Sequence, residues 1–234
     1  MDTSEQSSAA LRHAVVTGAS SGIGRAIVER LLSDGWRVTG LCRSQVAETN
    51  DALRIVPVDI TDFDALASVC DELGPVDGLV HAAGFMRTAQ LGHLSTDDAA
   101  GMWRLHVESA MFLADRLIAR MPDGARIVLV GSRTANGAAG RSQYAATKSA
   151  LIGLARSWAA ELAPRGITVN VVAPGATDTP FLRDPGRAAT PPKLPPIGRF
   201  IAPEEVAALT TFLLSESAGA ITGQQVVMCG GASL

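Results

Sequence analysis

The sequence predicts an α/β fold in which helices cover both faces of an open parallel sheet. Three observations predict it. A short apolar run at residues 13–17, HAVVT, meets the glycine-rich stretch GASSGIG at 18–24, followed by RAIVERLLSDG with apolar residues at helical spacing. Runs of strand length then alternate with helical patterns along the chain, as repeated β-α-β units require. Small residues follow several of these runs, Ala82-Ala83-Gly84 and Pro174-Gly175 among them. Open parallel sheets bind their ligands at such strand ends.

With 234 residues, 47% apolar and 18% charged, the chain suits one large domain with an ample core. Residues 1–10 read as a disordered polar tail and 11–234 as the domain. A net charge of -3 and the lack of any lysine or arginine block speak against nucleic-acid partners and anionic membrane surfaces. No apolar run approaches the roughly 18 residues that span a bilayer, and no apolar leader opens the chain, so a cytoplasmic protein is expected. Cys42, Cys70 and Cys229 lie far apart without metal-ligand spacing, which points to a reducing compartment and to no metal centre.

The first strand and its turn read as a dinucleotide site. Gly18 takes the unusual backbone angles of the turn, Gly22 admits a pyrophosphate close to the backbone, and Gly24 lets helix and strand pack closely. Ser20, Ser21 and Ile23 complete the turn, and the free N–H groups of the helix start face the anion. The second strand, residues 36–42, ends where an NAD site carries an acid for the ribose 2'-hydroxyl. This chain has Arg43 there. An arginine suits a 2'-phosphate and favours NADP(H) over NAD(H), unless its guanidinium only stacks on the adenine or stays solvated.

Residues 53–58 form the third strand, after which Asp59 and Ile60 fall beside the adenine and Thr61 or Asp62 caps a helix reaching residue 73. The fourth strand, 77–81, leads into Ala82, Ala83 and Gly84, where the chain passes close to the cofactor. Ser95 or Thr96 starts a long helix to about residue 120. His106 lies inside it, either as a packing residue or as a catalytic one.

The fifth strand, 125–130, runs into GSRTANGAAGRSQYAATK at 131–148, which holds the chain's only tyrosine. Tyr144 and Lys148 stand one helical turn apart, so an ammonium at 148 lies on the face of the phenol and favours its ionised form. That makes Tyr144 a candidate acid and base. Alone the pair reads equally as a surface tyrosine and a solvated lysine. Ser132, at the strand end, is positioned to hydrogen-bond a substrate oxygen. The helix from Tyr144 carries large apolar residues on one face and Ala146, Ala150 and Gly153 on another, which suits either contact with a second subunit or complete burial.

A sixth strand, 167–172, ends at Pro174, Gly175, Thr177 and Thr179. Six prolines between 180 and 196 then predict an irregular loop, about 180–200, that serves as a substrate lid. Arg133 and Arg141 flank the tyrosine stretch, and Arg183 with Arg187 lies on the lid. These arginines either bind an anionic substrate or are solvated. A helix at 203–214 and a strand at 224–228 close the chain.

Together these residues resemble the short-chain dehydrogenase/reductase family over residues 12–234. The matching segments are TGASSGIG at 17–24, HAAG at 81–84, Ser132, YAATK at 144–148, PGATDT at 174–179 and ITGQ at 221–224. The resemblance implies a Rossmann-type, doubly wound, seven-stranded parallel sheet, nicotinamide-linked oxidoreduction of a small alcohol or carbonyl compound, and a homotetramer or homodimer. It implies that Tyr144 passes the proton, that Lys148 lowers the phenol's pKa and holds the nicotinamide ribose, and that Ser132 orients the substrate oxygen. Thr177 and Thr179 would fix the carboxamide and a phosphate. His106 falls where the family has asparagine, and His81 with Ala82 replaces an asparagine pair; a backbone carbonyl at 106 would preserve the family's proton relay. A C=N reductase on the same residues, or a dinucleotide-binding sensor without turnover, are the other readings.

Overall fold

The computed structural model describes residues 11–45, 50–187 and 190–234. The tail at 1–10 lies outside the described residues. Seven parallel strands form one sheet: β1 His13–Thr17, β2 Arg37–Cys42, β3 Leu53–Pro57, β4 Gly78–His81, β5 Arg126–Val130, β6 Thr168–Pro174 and β7 Gln225–Met228. Their order is β3-β2-β1-β4-β5-β6-β7. After β3 the chain therefore returns across the sheet to place β4 against β1, and the crevice of a doubly wound sheet opens at that reversal. Almost every residue of β1, β4, β5 and β6 is buried, as strands covered on both faces require.

Two apolar cores lie on opposite faces. On one, α1 (Gly22–Ser33) and α6 (Pro203–Leu214) bury Ile27, Leu31, Val206 and Leu214 against Val16, Val38 and Val80. On the other, α2 (Phe63–Asp71), α4 (Ser109–Leu117) and α5 (Ser142–Leu162) bury Leu66, Leu113, Leu117 and Leu151 against Leu79, Ile127 and Val169. Element ends differ from expectation by a residue or two: α2 stops at Asp71, before Leu73, and β3 at Pro57. Of the alternative caps, Asp62 accepts from Ala65 N–H at 3.1 Å and Ser95 from Asp98 N–H at 3.1 Å.

The long helix from Ser95 is not uniform. Its first part, α3 (Thr96–Trp103), passes through a π-helical turn at Arg104–Glu108 before α4 resumes. The Ser109 hydroxyl lies 2.9 Å from both the Arg104 and Ile60 carbonyls and supports that turn. Helix α5 buries Tyr144, Thr147, Lys148, Leu151 and Ala155 and leaves Ala146 and Gly153 exposed. Among the described residues no helix is long and apolar enough to cross a membrane.

The glycine turn makes two steric demands. Gly18 has φ of 71°, and a Cβ on it would fall 2.9 Å from Ala83 Cα. A Cβ on Gly24 would run into the Gly18 carbonyl, which backbone alone would have to yield to. Gly24→Ala is therefore expected to lower stability by about 1–3 kcal/mol, as other overpacked sites do. Chemical denaturation checks this, and an unmoved midpoint would contradict the close approach.

Candidate functional site

Thr17, the last residue of β1, ties the reversal of the sheet together. Its hydroxyl oxygen accepts from Ala82 N–H and Ala83 N–H, both at 3.0 Å, and meets His81 Nδ1 at 3.2 Å. With two N–H groups on its lone pairs, the hydroxyl's own proton goes to the imidazole. This holds the β4 loop against the glycine turn. Along the carboxyl ends of the strands runs a groove of about 1680 Å³. Gly18, Ser20, Ser21, Gly22, Ile23 and Gly24 line it, and so do Arg43, Asp59, Ile60, Ala82, Ala83, Gly84, Pro174, Gly175, Thr177 and Thr179.

Several features fit a dinucleotide. Helix α1 begins at Gly22 behind an extended Ser21 whose side chain caps nothing, so the first-turn N–H groups are left for an anion. A Cβ on Gly22 would press on the Thr179 side chain at 3.2 Å. Asp59 accepts from Thr61 N–H at 2.9 Å and Thr61 Oγ1–H at 2.7 Å. Those bonds, with the charges of Arg43 and Arg104, hold its carboxyl below the usual range. Arg43 thus sits exposed beside an ionised acid at the β2 end of the groove.

Ser132, Tyr144 and Lys148 also line the groove and are all at least nine-tenths buried. Ser132 precedes a 3-10 turn, Arg133–Asn136, where its Oγ accepts from Thr134 N–H at 3.1 Å. Its hydroxyl also hydrogen-bonds the Tyr144 phenol. One turn along α5, Lys148 Nζ donates to Val130 O at 2.8 Å and lies 5.8 Å from the centre of the Tyr144 ring. Two of its three donors remain for other acceptors.

The electrostatics differ from the sequence expectation. Burial raises the phenol above its usual value, and what restrains it is the Ser132 bond and the charges of Arg187 and Arg141. Burial also pushes Lys148 down to about 7. The low-dielectric surroundings that bring the two groups together favour the neutral form of each.

His106 does not line the groove; it sits behind Gly84, where a Cβ would approach its Nε2 to 3.0 Å. Its Nε2 accepts from Phe85 N–H at 3.1 Å, so Nδ1 carries the proton and donates to Thr147 Oγ1 at 2.8 Å. The ring meets Tyr144 edge-on at 5.6 Å. Burial and the Lys148 charge keep it neutral. The same causes drive His81 down to about 3. His81 Nε2 faces the Leu105 and His106 carbonyls of the π-helical turn without a well-aligned bond. The imidazole at 106 is thus a packed, fully bonded support for the Gly84–Phe85 turn and for α5, and its ring stays out of the groove.

Of the substrate candidates, Arg133 and Arg141 line the groove, while Arg183 does not. Its side chain is 71% exposed and paired with Asp178 at 2.7 Å, because the 3-10 turn Pro180–Arg183 faces it away from Tyr144. The segment from 180 to 200 carries two short 3-10 turns, Pro180–Arg183 and Pro185–Arg187, and Phe181, Leu182 and Arg187 from it wall the groove. Phe85, Met86 and Arg87 pack beside that segment in the same lining and carried no sequence signal beyond following Gly84. No cluster of histidine, cysteine and carboxylate side chains suited to a metal occurs among the described residues.

Comparison with known proteins agrees with this architecture. The family profile described as enoyl-(acyl carrier protein) reductase matches residues 18–233. The 3-oxoacyl-(acyl-carrier-protein) reductase of Salmonella typhimurium is 37% identical over 93% of this chain and 96% of its own. A short-chain dehydrogenase family protein from Francisella tularensis superposes with a TM-score of 0.88 at 27% identity, over 96% of this chain and 99% of that one. A blue fluorescent protein from a metagenomic library, solved with NADPH, gives 0.83 at 30% identity over 95% and 98%. The chain is an NAD(P)(H)-dependent oxidoreductase and belongs to the short-chain dehydrogenase/reductase family.

Proposed function

We propose that this chain reduces a small to medium carbonyl compound to the alcohol with NADP(H), Tyr144 giving the proton to the carbonyl oxygen. The observation that carries it is the convergence of Ser132, Tyr144 and Lys148 on one groove with the Gly18–Gly24 turn. The bound nicotinamide supplies hydride. Ser132 orients the carbonyl oxygen and stabilises the charge developing on it. Lys148 presents its two spare donors to the nicotinamide ribose, and Thr179, whose hydroxyl points to Thr177 O at a long 3.4 Å, has room to turn to a phosphate. A phenol raised by burial is fully protonated near neutral pH, which suits the reductive direction. The exposed Trp103 and Met111, with the small-residue face of α5, support a homo-oligomer formed through α3, α4 and α5.

Three measurements test this reading. Tyr144→Phe is expected to lose about 10²-fold or more in kcat while still quenching or enhancing NADPH fluorescence on binding; undiminished turnover would sink the mechanism. Arg43 is expected to select the 2'-phosphate. Arg43→Ala should therefore cut the NADPH-over-NADH preference in kcat/KM by about tenfold, equal to ~1.4 kcal/mol; a wild type that prefers NADH overturns the assignment. His106→Asn orphans Phe85 N–H or Thr147 and should cost about 1–3 kcal/mol of stability, with kcat held within about tenfold and the pH profile unmoved. A shifted profile would show that the imidazole itself takes part.

A further inference from the structure

Two guanidinium groups face the Tyr144 end of the groove without a salt bridge of their own; the carboxylate that acts on Arg187, Asp184, is paired with Arg87. Arg187 is only 6% exposed and lines the groove. It lies over the Phe181 ring at 4.9 Å and gives one bond, Nη1 to Phe181 O at 3.2 Å. Its Nε has no partner. Arg141, just before α5, is fixed by Nε to Thr190 Oγ1 and Nη2 to Thr190 O, both at 3.1 Å. Neither arginine makes an ion pair among the described residues. Arg87, by contrast, reaches Asp184 at 3.5 Å, and Arg183 is paired outside the groove.

Two like charges brought together in a partly desolvated wall destabilise the fold unless an anion joins them. Burial weakens the hold of each group on its proton, and a neighbouring guanidinium adds to this, Arg141 at Arg187 and Arg133 at Arg141. Both also act on the Tyr144 phenol, which puts them within a small molecule's length of the proton donor. Between them and Tyr144 lies an apolar surface made by Phe85, Met86 and Phe181. A buried guanidinium with a donor left unpaired at a groove is suited to a planar carboxylate.

We propose that the substrate is a short oxo acid, its carbonyl at Tyr144 and its carboxylate on the Arg187 guanidinium, with Arg141 reinforcing the charge. This rests on the oxidoreductase reading above and narrows it to a substrate class. The apolar wall takes the carbon skeleton between the two polar ends. A neutral ester or thioester of the same skeleton leaves the arginines unmatched and is a poorer substrate.

The test uses the full chain with NADPH and a matched pair, acetoacetate and its methyl ester, followed at the nicotinamide absorbance. The acid is expected to exceed the ester at least tenfold in kcat/KM. Arg187→Gln should reduce that acid-to-ester ratio at least tenfold, and Arg187→Lys should restore part of it. A second measurement needs no turnover: isovalerate, which has no carbonyl to reduce, should bind the wild type in the presence of NADP by calorimetry, at least tenfold more weakly to Arg187→Gln, and its neutral amide should not. Equal or better use of the ester, or of a neutral thioester, overturns the oxo-acid assignment and leaves the oxidoreductase reading intact. An acid-to-ester ratio unchanged in Arg187→Gln, or no binding of isovalerate by the wild type, overturns it too. If no carbonyl compound of any class is reduced, the oxidoreductase reading fails instead, and the isovalerate titration still reads the arginines.

Discussion

An ammonium buried against one carbonyl oxygen sets the terms for everything around it. Lys148 is 4% exposed, bonded to Val130 O, and enclosed by β4, β5 and α5. Taking it from water favours its neutral form so strongly that it falls to about 7. A charge in that place forbids a second one nearby. Burial first, and the Lys148 charge second, keep both histidines next to it neutral, each in a defined tautomer: His81 accepts from Thr17, and His106 accepts from Phe85 N–H. The turn that lets the β4 loop pass the cofactor groove is held by those same two bonds. Removing Lys148's partners would therefore disturb the groove wall as well as the lysine.

Along the groove the unpaired charge is mostly positive, with Arg43 at one end and Arg141 and Arg187 at the other. That gradient favours an anionic cofactor and an anionic substrate over neutral ones, although the chain as a whole carries -3. Net charge reports the chain as a whole. It could not report a cleft whose own sign is opposite.

Much of the fold was legible because it rests on local rules. The strand, glycine turn and helix at 13–33 need only short-range sterics, and each buried strand announces itself as an apolar run. That small residues line one side of the groove followed from the same rules, since strand ends meet at one edge of a parallel sheet. What was not legible depends on contacts between distant segments. The π-helical turn at Arg104–Glu108 is stabilised by Ser109 reaching Ile60, 49 positions away. Arg183 was the lid arginine expected at the substrate, with Arg187 only its neighbour, yet across two 3-10 turns Arg183 pairs with Asp178 and Arg187 lines the groove. His106 was ambiguous for the same reason: its role is decided by Phe85 and Thr147, neither of which its own helix supplies.

The bonding of His106 also constrains how the proposed proton donor can be replenished. Its Nδ1–H goes to Thr147 Oγ1, whose own hydrogen goes to the Tyr144 backbone carbonyl at 2.9 Å. A carbonyl accepts and cannot pass a proton on, so this chain of bonds ends there. It fixes the position of Tyr144 without touching the phenol's charge. On the other side of the residue, Ser132 reaches the phenol itself, and Lys148 has donors to spare and a pKa close to neutrality. The His106 imidazole therefore offers the phenol no proton, and with His81 it keeps the groove face of the cluster in register.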